Sequence, residues 1–243
     1  MKPKGAKLTG TLRANGEKIN QRHFSRISSY VQQDDAMGAF LTVHETLMVA
    51  AHFQLPRDVS TERKEKYVAD IVSELGLANA TDTPIGDAKL RGVSGGERKR
   101  ANIGIALIKN PSLLSLDEPT SGLDSFQAQS VMECMNDLAR NGRTIVASIH
   151  QPRSSIFTMF DRLFLISQGR TIYSGTASRA VQYFQEAGHA CPQLYNPADF
   201  FLDVTSPDFR NKELEQSSLD RIDRLAASWS KVPGGTIERS HSS

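Results

Sequence analysis

The sequence predicts an α/β fold with a largely parallel sheet. Two short apolar runs, Leu113 to Leu116 and Thr144 to Ile149, have the length and composition of buried strands. A segment of helical periodicity, from about Asp124 to Leu138, separates them and stops at Asn141-Gly142. A strand, a helix and a strand at this spacing read as a parallel crossover. Both runs also end in groups able to do chemistry, Asp117-Glu118 and His150. Open α/β sheets bind ligands at that carboxyl edge.

The other elements follow in order. Residues 7–20 read as an antiparallel β-hairpin, with Asn15-Gly16 as its tight turn. Residues 26–33 read as a strand ending near Gln33. The period then changes to that of a helix from Leu41 to Leu55, with Thr42 as N-cap and Glu45 completing a capping box. Ser60 or Thr61 opens a second helix through Val68, Ile71, Val72 and Leu75, and Gly76 stops it. A third helix spans 94–109, with Ile103, Ala106 and Leu107 on one face. These helices interrupt the alternation and read as an inserted helical subdomain. Leu163 to Ser167 and Thr171 to Tyr173 form a hairpin about Gln168-Gly169. Ser178 to Gly188 and Pro197 to Val204 are helices, the latter with Pro in its first turn. Residues from 207 read as a polar, linker-like tail with one amphipathic run, Leu219, Ile222, Leu225, Ala226 and Trp229. The expected organisation is an N-terminal β part over 1–36, a helical subdomain over 37–110, a core with C-terminal helices over 111–206, and a tail over 207–243.

Composition excludes several classes of function. The 243 residues carry a formal net charge of +2, with bases scattered among acids, which does not favour nucleic acid. Cys134 and Cys191 have no metal-ligand spacing and form no disulfide framework. No run approaches the ~18 apolar residues needed to span a bilayer. The basic N-terminus is not followed by the apolar stretch of a secretory signal.

The chemistry lies in an ordered set of strings: Gln33 within YVQQDD, then VSGGERKR over 93–100, LLSLDEP over 113–119, SGLDS over 121–125 and SIHQP over 148–152. Asp117 at a strand end offers a hard carboxylate to Mg²⁺, directly or through water. Glu118 is placed to act as general base or to orient a water. Ser94, Gly95 and Gly96 open a helix, where N–H groups and the helix dipole favour phosphate. His150 ends the second run, where an imidazole can reach a γ-phosphate or an attacking water. Gln33 can reach the metal or the water through its amide. Taken singly, a strand-end His, a turn Gln or a capped glycine turn is usually structural; their order together describes nucleoside-triphosphate hydrolysis. The G-x-x-x-x-G-K-[ST] loop that grips phosphates does not occur in the chain, which contains no Gly-Lys pair.

At these residues the chain resembles the nucleotide-binding domain of ATP-binding cassette transporters. VSGGERKR looks like the signature motif, LLSLDEP the Walker B, SGLD the D-loop and His150 the switch histidine. The strings LTVHETL, SIHQPRSSIF, FDRLFLISQGRTIYSG and NPADFFLDVTS are similar to the G subfamily, the white-type half-transporters. The resemblance covers about residues 5–206. It implies an incomplete P-loop NTPase core, with ATP and Mg²⁺ as cofactors. It places Glu118, His150 and Gln33 at the hydrolytic centre, and Asp117 and Gln33 on the metal. Ser94, Gly95, Gly96, Glu97 and Asp124 would meet nucleotide or the opposing subunit.

The partners so implied are a second nucleotide-binding domain, paired head to tail, and a transmembrane domain, with the cassette at the cytosolic side of a membrane. Relative to the family pattern, the chain starts after the Walker A helix and ends before the membrane helices. The expectations are weak ATP binding and inactivity in isolation, low stability, and an Asp117 strand and a His150 strand left without an intervening Walker A strand. A competing expectation is a non-enzymatic partner that lends its signature string to an intact half-transporter. A DNA-repair ATPase also carries Ser-Gly-Gly, but separates its motifs by heptad repeats, and none occur here.

Overall fold

The computed structural model describes residues 10–11 and 13–232, which pack as two units divided between Ile149 and His150. In the first unit, β1 (Arg13–Ala14) and β2 (Glu17–Lys18) pair antiparallel. Asn15 and Gly16 turn the chain between them with φ of 50° and 83°, a pair of left-handed residues that suits a tight hairpin. The ladder is much shorter than the expected hairpin, and Lys7, where that strand was expected to begin, lies outside the described residues.

The strand expected over 26–33 is shorter too. Residues 26 and 27 finish a helix, α1 (Gln21–Ile27), because the Asn20 side chain accepts from His23 N–H and caps it. The strand itself is β3 (Ser28–Val31). Helices α2 (Val43–Gln54) and α3 (Thr61–Glu74) follow, capped by Thr42 and Ser60. Thr42 and Glu45 form the expected capping box, and Gly76 leaves α3 at φ 62°. Helix α4 (Gly95–Leu107) packs against α2, α3, β3 and the later helix α5 (Ser125–Arg140). The core gathers Leu47, Ile71, Leu75, Ile103, Leu107, Leu114 and Leu138.

Strands β4 (Leu113–Asp117) and β5 (Thr144–Ser148) complete a parallel sheet of order β3-β4-β5. The sheet is parallel as expected, but two details correct the sequence reading. The Asp117 strand is not left beside a gap where an intervening strand was expected to be missing: β4 pairs β5 directly, from Leu113 opposite Thr144 to Asp117 opposite Ser148. A single helical crossover, α5, joins strands that are neighbours, the commonest arrangement. Nor is β5 buried. Ile145 and Ala147 pack on the core, while Val146 on the other face is 55% exposed. Among the described residues β5 pairs only with β4, and α5 packs against it.

In the second unit, β6 (Arg162–Ser167) and β7 (Arg170–Thr176) form the expected hairpin, turning at Gln168-Gly169. They follow a short helix, α6 (Ser154–Phe157), and precede α7 (Ala177–Glu186) and α8 (Pro197–Thr205). The tail expected to be linker-like instead forms α9 (Lys212–Ser230). Its amphipathic stripe explains this: Ile222 and Leu225 are buried, and Trp229 meets Tyr173 and Tyr183 with ring centroids 5.1 and 5.3 Å apart. Arg221 fixes the docking by donating to the carbonyls of Asp203, Val204 and Ser206 at the end of α8. Residues 233–243, expected to be a linker, lie outside the described residues.

Among the described residues no helix is long and apolar enough to cross a membrane.

Candidate nucleotide-hydrolysis site

The carboxyl ends of β3 and β4 bring Gln33, Asp117 and Glu118 together. Asp117 is the last residue of β4, carried there by Leu114 and Leu116, which anchor the strand in the core. Its carboxylate is oriented from both sides. Ser148 Oγ donates to Oδ1 at 2.6 Å and Tyr30 Oη donates to Oδ2 at 2.8 Å. These two hydrogen bonds, Ser148's first, hold the Asp117 pKa below the ordinary carboxylate range, and the same contact raises that of Tyr30. The group is therefore ionised at neutral pH.

Glu118 sits in the left-handed region at φ 43°, which costs a non-glycine residue energy and needs an over-determined surrounding. Ser148 supplies it: its carbonyl and its Oγ each accept from Glu118 N–H at 3.1 Å. The turn swings the Glu118 side chain towards Gln33, whose Nε2 donates to Oε2 at 2.9 Å and to Ser121 Oγ at 3.3 Å. The glutamine amide thus links the acid after β4 to the loop that leads into α5.

The second cluster is the N-terminus of α4. Ser94 accepts from Glu97 N–H at 3.3 Å, and Glu97 Oε2 accepts from both Ser94 N–H and Ser94 Oγ at 2.8 Å, a complete capping box. Glu97 is therefore occupied with its own helix. The first-turn N–H groups of Gly95 and Gly96 have no carbonyl partner within the helix. Their lack of side chains has an internal cause as well. A Cβ on Gly95 would lie 3.0 Å from Leu123 and 3.1 Å from Gln127 Oε1; one on Gly96 would lie 3.3 Å from Gln127 Cβ. Asp124, expected to face an opposing subunit, caps α5 by accepting from the N–H groups of Phe126 and Gln127, both at 2.9 Å.

The three cations after the capping box each hold a different element. Arg98 donates to the carbonyls of Ile85 and Gly86 at 2.9 and 2.6 Å. Lys99 reaches the turn after β3, and Arg100 donates to Ser130 on α5 at 3.1 Å. His150 is exposed and belongs to the second unit, so its place at the hydrolytic centre remains an expectation from sequence. Sequence reasoning missed Ser148, Tyr30, Lys99 and Asp35. Ser148 had a signal, since two five-residue parallel strands in register put it opposite Asp117.

Among the described residues no group of three or more His, Cys, Asp or Glu gathers to hold a metal. The donor set still fits a hard cation held mainly by water and phosphate, since Asp117 is ionised and both its oxygens keep lone pairs. Phosphate oxygens fit the first turn of α4.

Residues 4–121 match the family model described as ABC transporter, and residues 150–232 match the one described as ABC-2 type transporter. The chain belongs to the ABC transporter family. The two matches fall on the two packed units. The relatives are of the G type. The chain is 42% identical to the rat ATP-binding cassette sub-family G member 8 over 231 residues, 95% of this chain and 33% of that protein. It is 48% identical to ABC transporter G family member 1 of Dictyostelium discoideum over 198 residues, 81% of this chain and 25% of that protein. It is 46% identical to the mouse broad substrate specificity ATP-binding cassette transporter ABCG2 over 206 residues, 85% of this chain and 31% of that protein. The chain thus spans about a third or less of these ABC transporters' length.

Proposed function

We propose that the chain supplies the hydrolytic and signature surfaces of an ATP-binding cassette that drives export of lipidic or hydrophobic compounds. The observation that carries this is the Gln33–Glu118–Asp117–Ser148 network at the end of β4, with an ionised carboxylate beside a glutamine-held acid. Asp117 would hold Mg²⁺, and Gln33 would join it there or at the water. A bound Mg²⁺ would neutralise charge on the transferring phosphoryl group. Glu118 would accept a proton from, or orient, the attacking water, and Gln33 fixes its side chain. His150 would meet the γ-phosphate or that water. The cassette works at the cytosolic side of a membrane beside a transmembrane domain.

A second reading is favoured by the α4 terminus. Its capping box and glycine contacts are complete within this chain. Ser94, Gly95, Gly96 and Asp124 would then serve nucleotide gripped by another cassette domain, without hydrolysis at Glu118.

The test is co-purification of the chain with a complete G-type half-transporter in nanodiscs, with and without MgATP. The expected result is an MgATP-dependent pair, with Glu118→Gln slowing its decay. Decay unchanged by Glu118→Gln, with pairing intact, selects the second reading. No pairing, together with no ATP binding by the chain at millimolar concentration, overturns both.

A further inference from the structure

Lys99 lies on the buried stripe of α4 with Gly96, Ile103 and Leu107, where an apolar residue would fill the space at less desolvation cost. Its ammonium pairs with Asp35 Oδ1 at 3.0 Å, and the two side chains are only 7% and 12% exposed. It also donates to the carbonyl oxygen of Gln33. Asn102, on the same helix, donates to the same Asp35 oxygen at 2.7 Å. The turn after β3 is therefore fastened to α4 at two points, the backbone of Gln33 and the carboxylate of Asp35. The side chain of that same glutamine donates to Glu118. Arg98 and Arg100 reach other elements, so neither substitutes for Lys99 here.

A buried ion pair contributes little net stability compared with an apolar replacement, but it tolerates few geometries. We propose that Lys99 is a positioning residue: with Asp35 and Asn102 it sets where Gln33 presents its amide to Glu118. The helix that opens with Ser94-Gly95-Gly96 and the glutamine at the hydrolytic acid then move as one body. A shift of α4 changes the Gln33–Glu118 contact directly. This rests on the hydrolytic reading for its meaning in catalysis, while the positioning itself is testable without nucleotide.

The experiment is side-chain amide NMR on the whole chain, with the Gln33 resonance identified by its loss in Gln33→Glu. In the parent chain Glu118→Gln should shift that resonance. In Lys99→Met the resonance should move to the position of a solvated amide and no longer respond to Glu118→Gln, and Lys99→Arg should restore part of the response. Asp35→Asn, which keeps the volume, should give the same loss and serves where Lys99→Met does not fold. A Gln33 resonance that keeps its position and its response in either folded variant overturns the proposal. In the nanodisc pair, Lys99→Met should lower kcat about tenfold with KM for ATP changed by less than about twofold, since misplacing one group impairs the chemical step more than binding. A pair that does not hydrolyse ATP at all sinks the hydrolytic reading, and the NMR result still decides the positioning.

Discussion

β4 and β5 are parallel neighbours of equal length that end at the same site, yet their surroundings differ. β4 runs between β3 and β5, with Leu114 and Leu116 0% and 2% exposed. β5 has one partner among the described residues and presents Val146 to solvent on its outer face. Asp117 therefore ends the strand that is paired on both sides, with Glu118 just beyond it. Ser148, which orients Asp117 and pins the Glu118 backbone, stands at the end of the strand with fewer constraints. Opening of β5 would remove the Ser148 contacts to both acids, leaving Asp117 its bond from Tyr30 and Glu118 its bond from Gln33.

The largest effect should come from hollowing β4. Leu116→Ala is expected to cost about 2–5 kcal/mol, the range for emptying a packed core position. Urea unfolding followed by the amide signals of β4 reads it, and a loss under about 1 kcal/mol would mean that β4 is no better packed than its neighbour. A smaller effect of opposite sign is expected where β4 turns. Glu118→Gly removes the left-handed penalty and should raise stability by up to about 1 kcal/mol, while abolishing the Gln33 contact. A destabilised Glu118→Gly would show that this contact outweighs the backbone cost.

The dependence of β4 on β5 can be titrated. Asp117 has its folded pKa depressed, by Ser148 first and Tyr30 second. Its contribution is therefore present above the ordinary carboxylate value of 3.8 and is lost as pH falls through the lowered folded value. Ser148→Ala should move the carboxyl titration of Asp117, followed by carbon NMR, back up towards the ordinary value. Tyr30→Phe should move it less. The reverse ranking would mean that β3, not β5, controls the carboxylate.

Much of this frame was legible in the sequence because local signals agreed with tertiary ones. Thr42 with Glu45, and Ser94 ahead of its two glycines, announced helix starts, and the apolar runs announced β4 and β5. What was not legible depended on pairing. The adjacency of β4 and β5 depends on which strands meet, and the exposure of Val146 depends on what covers β5, so neither follows from composition. The α9 stripe was visible, but the surrounding charge made it read as tail until Tyr173 and Tyr183 gave Trp229 somewhere to pack. Lys99 had a detectable signal: it falls four residues before Ile103 on an apolar stripe, where a lysine needs a buried partner. That partner, Asp35, is 64 residues away.

The smallest predicted effect tests the exposed side of the comparison. Val146 stands opposite Ser115 of β4, so among the described residues its outer face meets neither a large neighbour across the pair nor a cover above it. Val146→Ala is therefore expected to change stability by no more than about 0.5 kcal/mol, as for surface positions generally. Among the described residues β5 is also a β-branched edge strand, which invites strand addition. Val146→Lys should leave the melt of the chain unchanged and reduce its self-association, read by sedimentation at rising concentration. If Val146→Ala instead costs as much as Leu116→Ala, the outer face of β5 is covered in solution. The two strands would then both be core strands, and the freedom assigned to Ser148 would disappear with the difference.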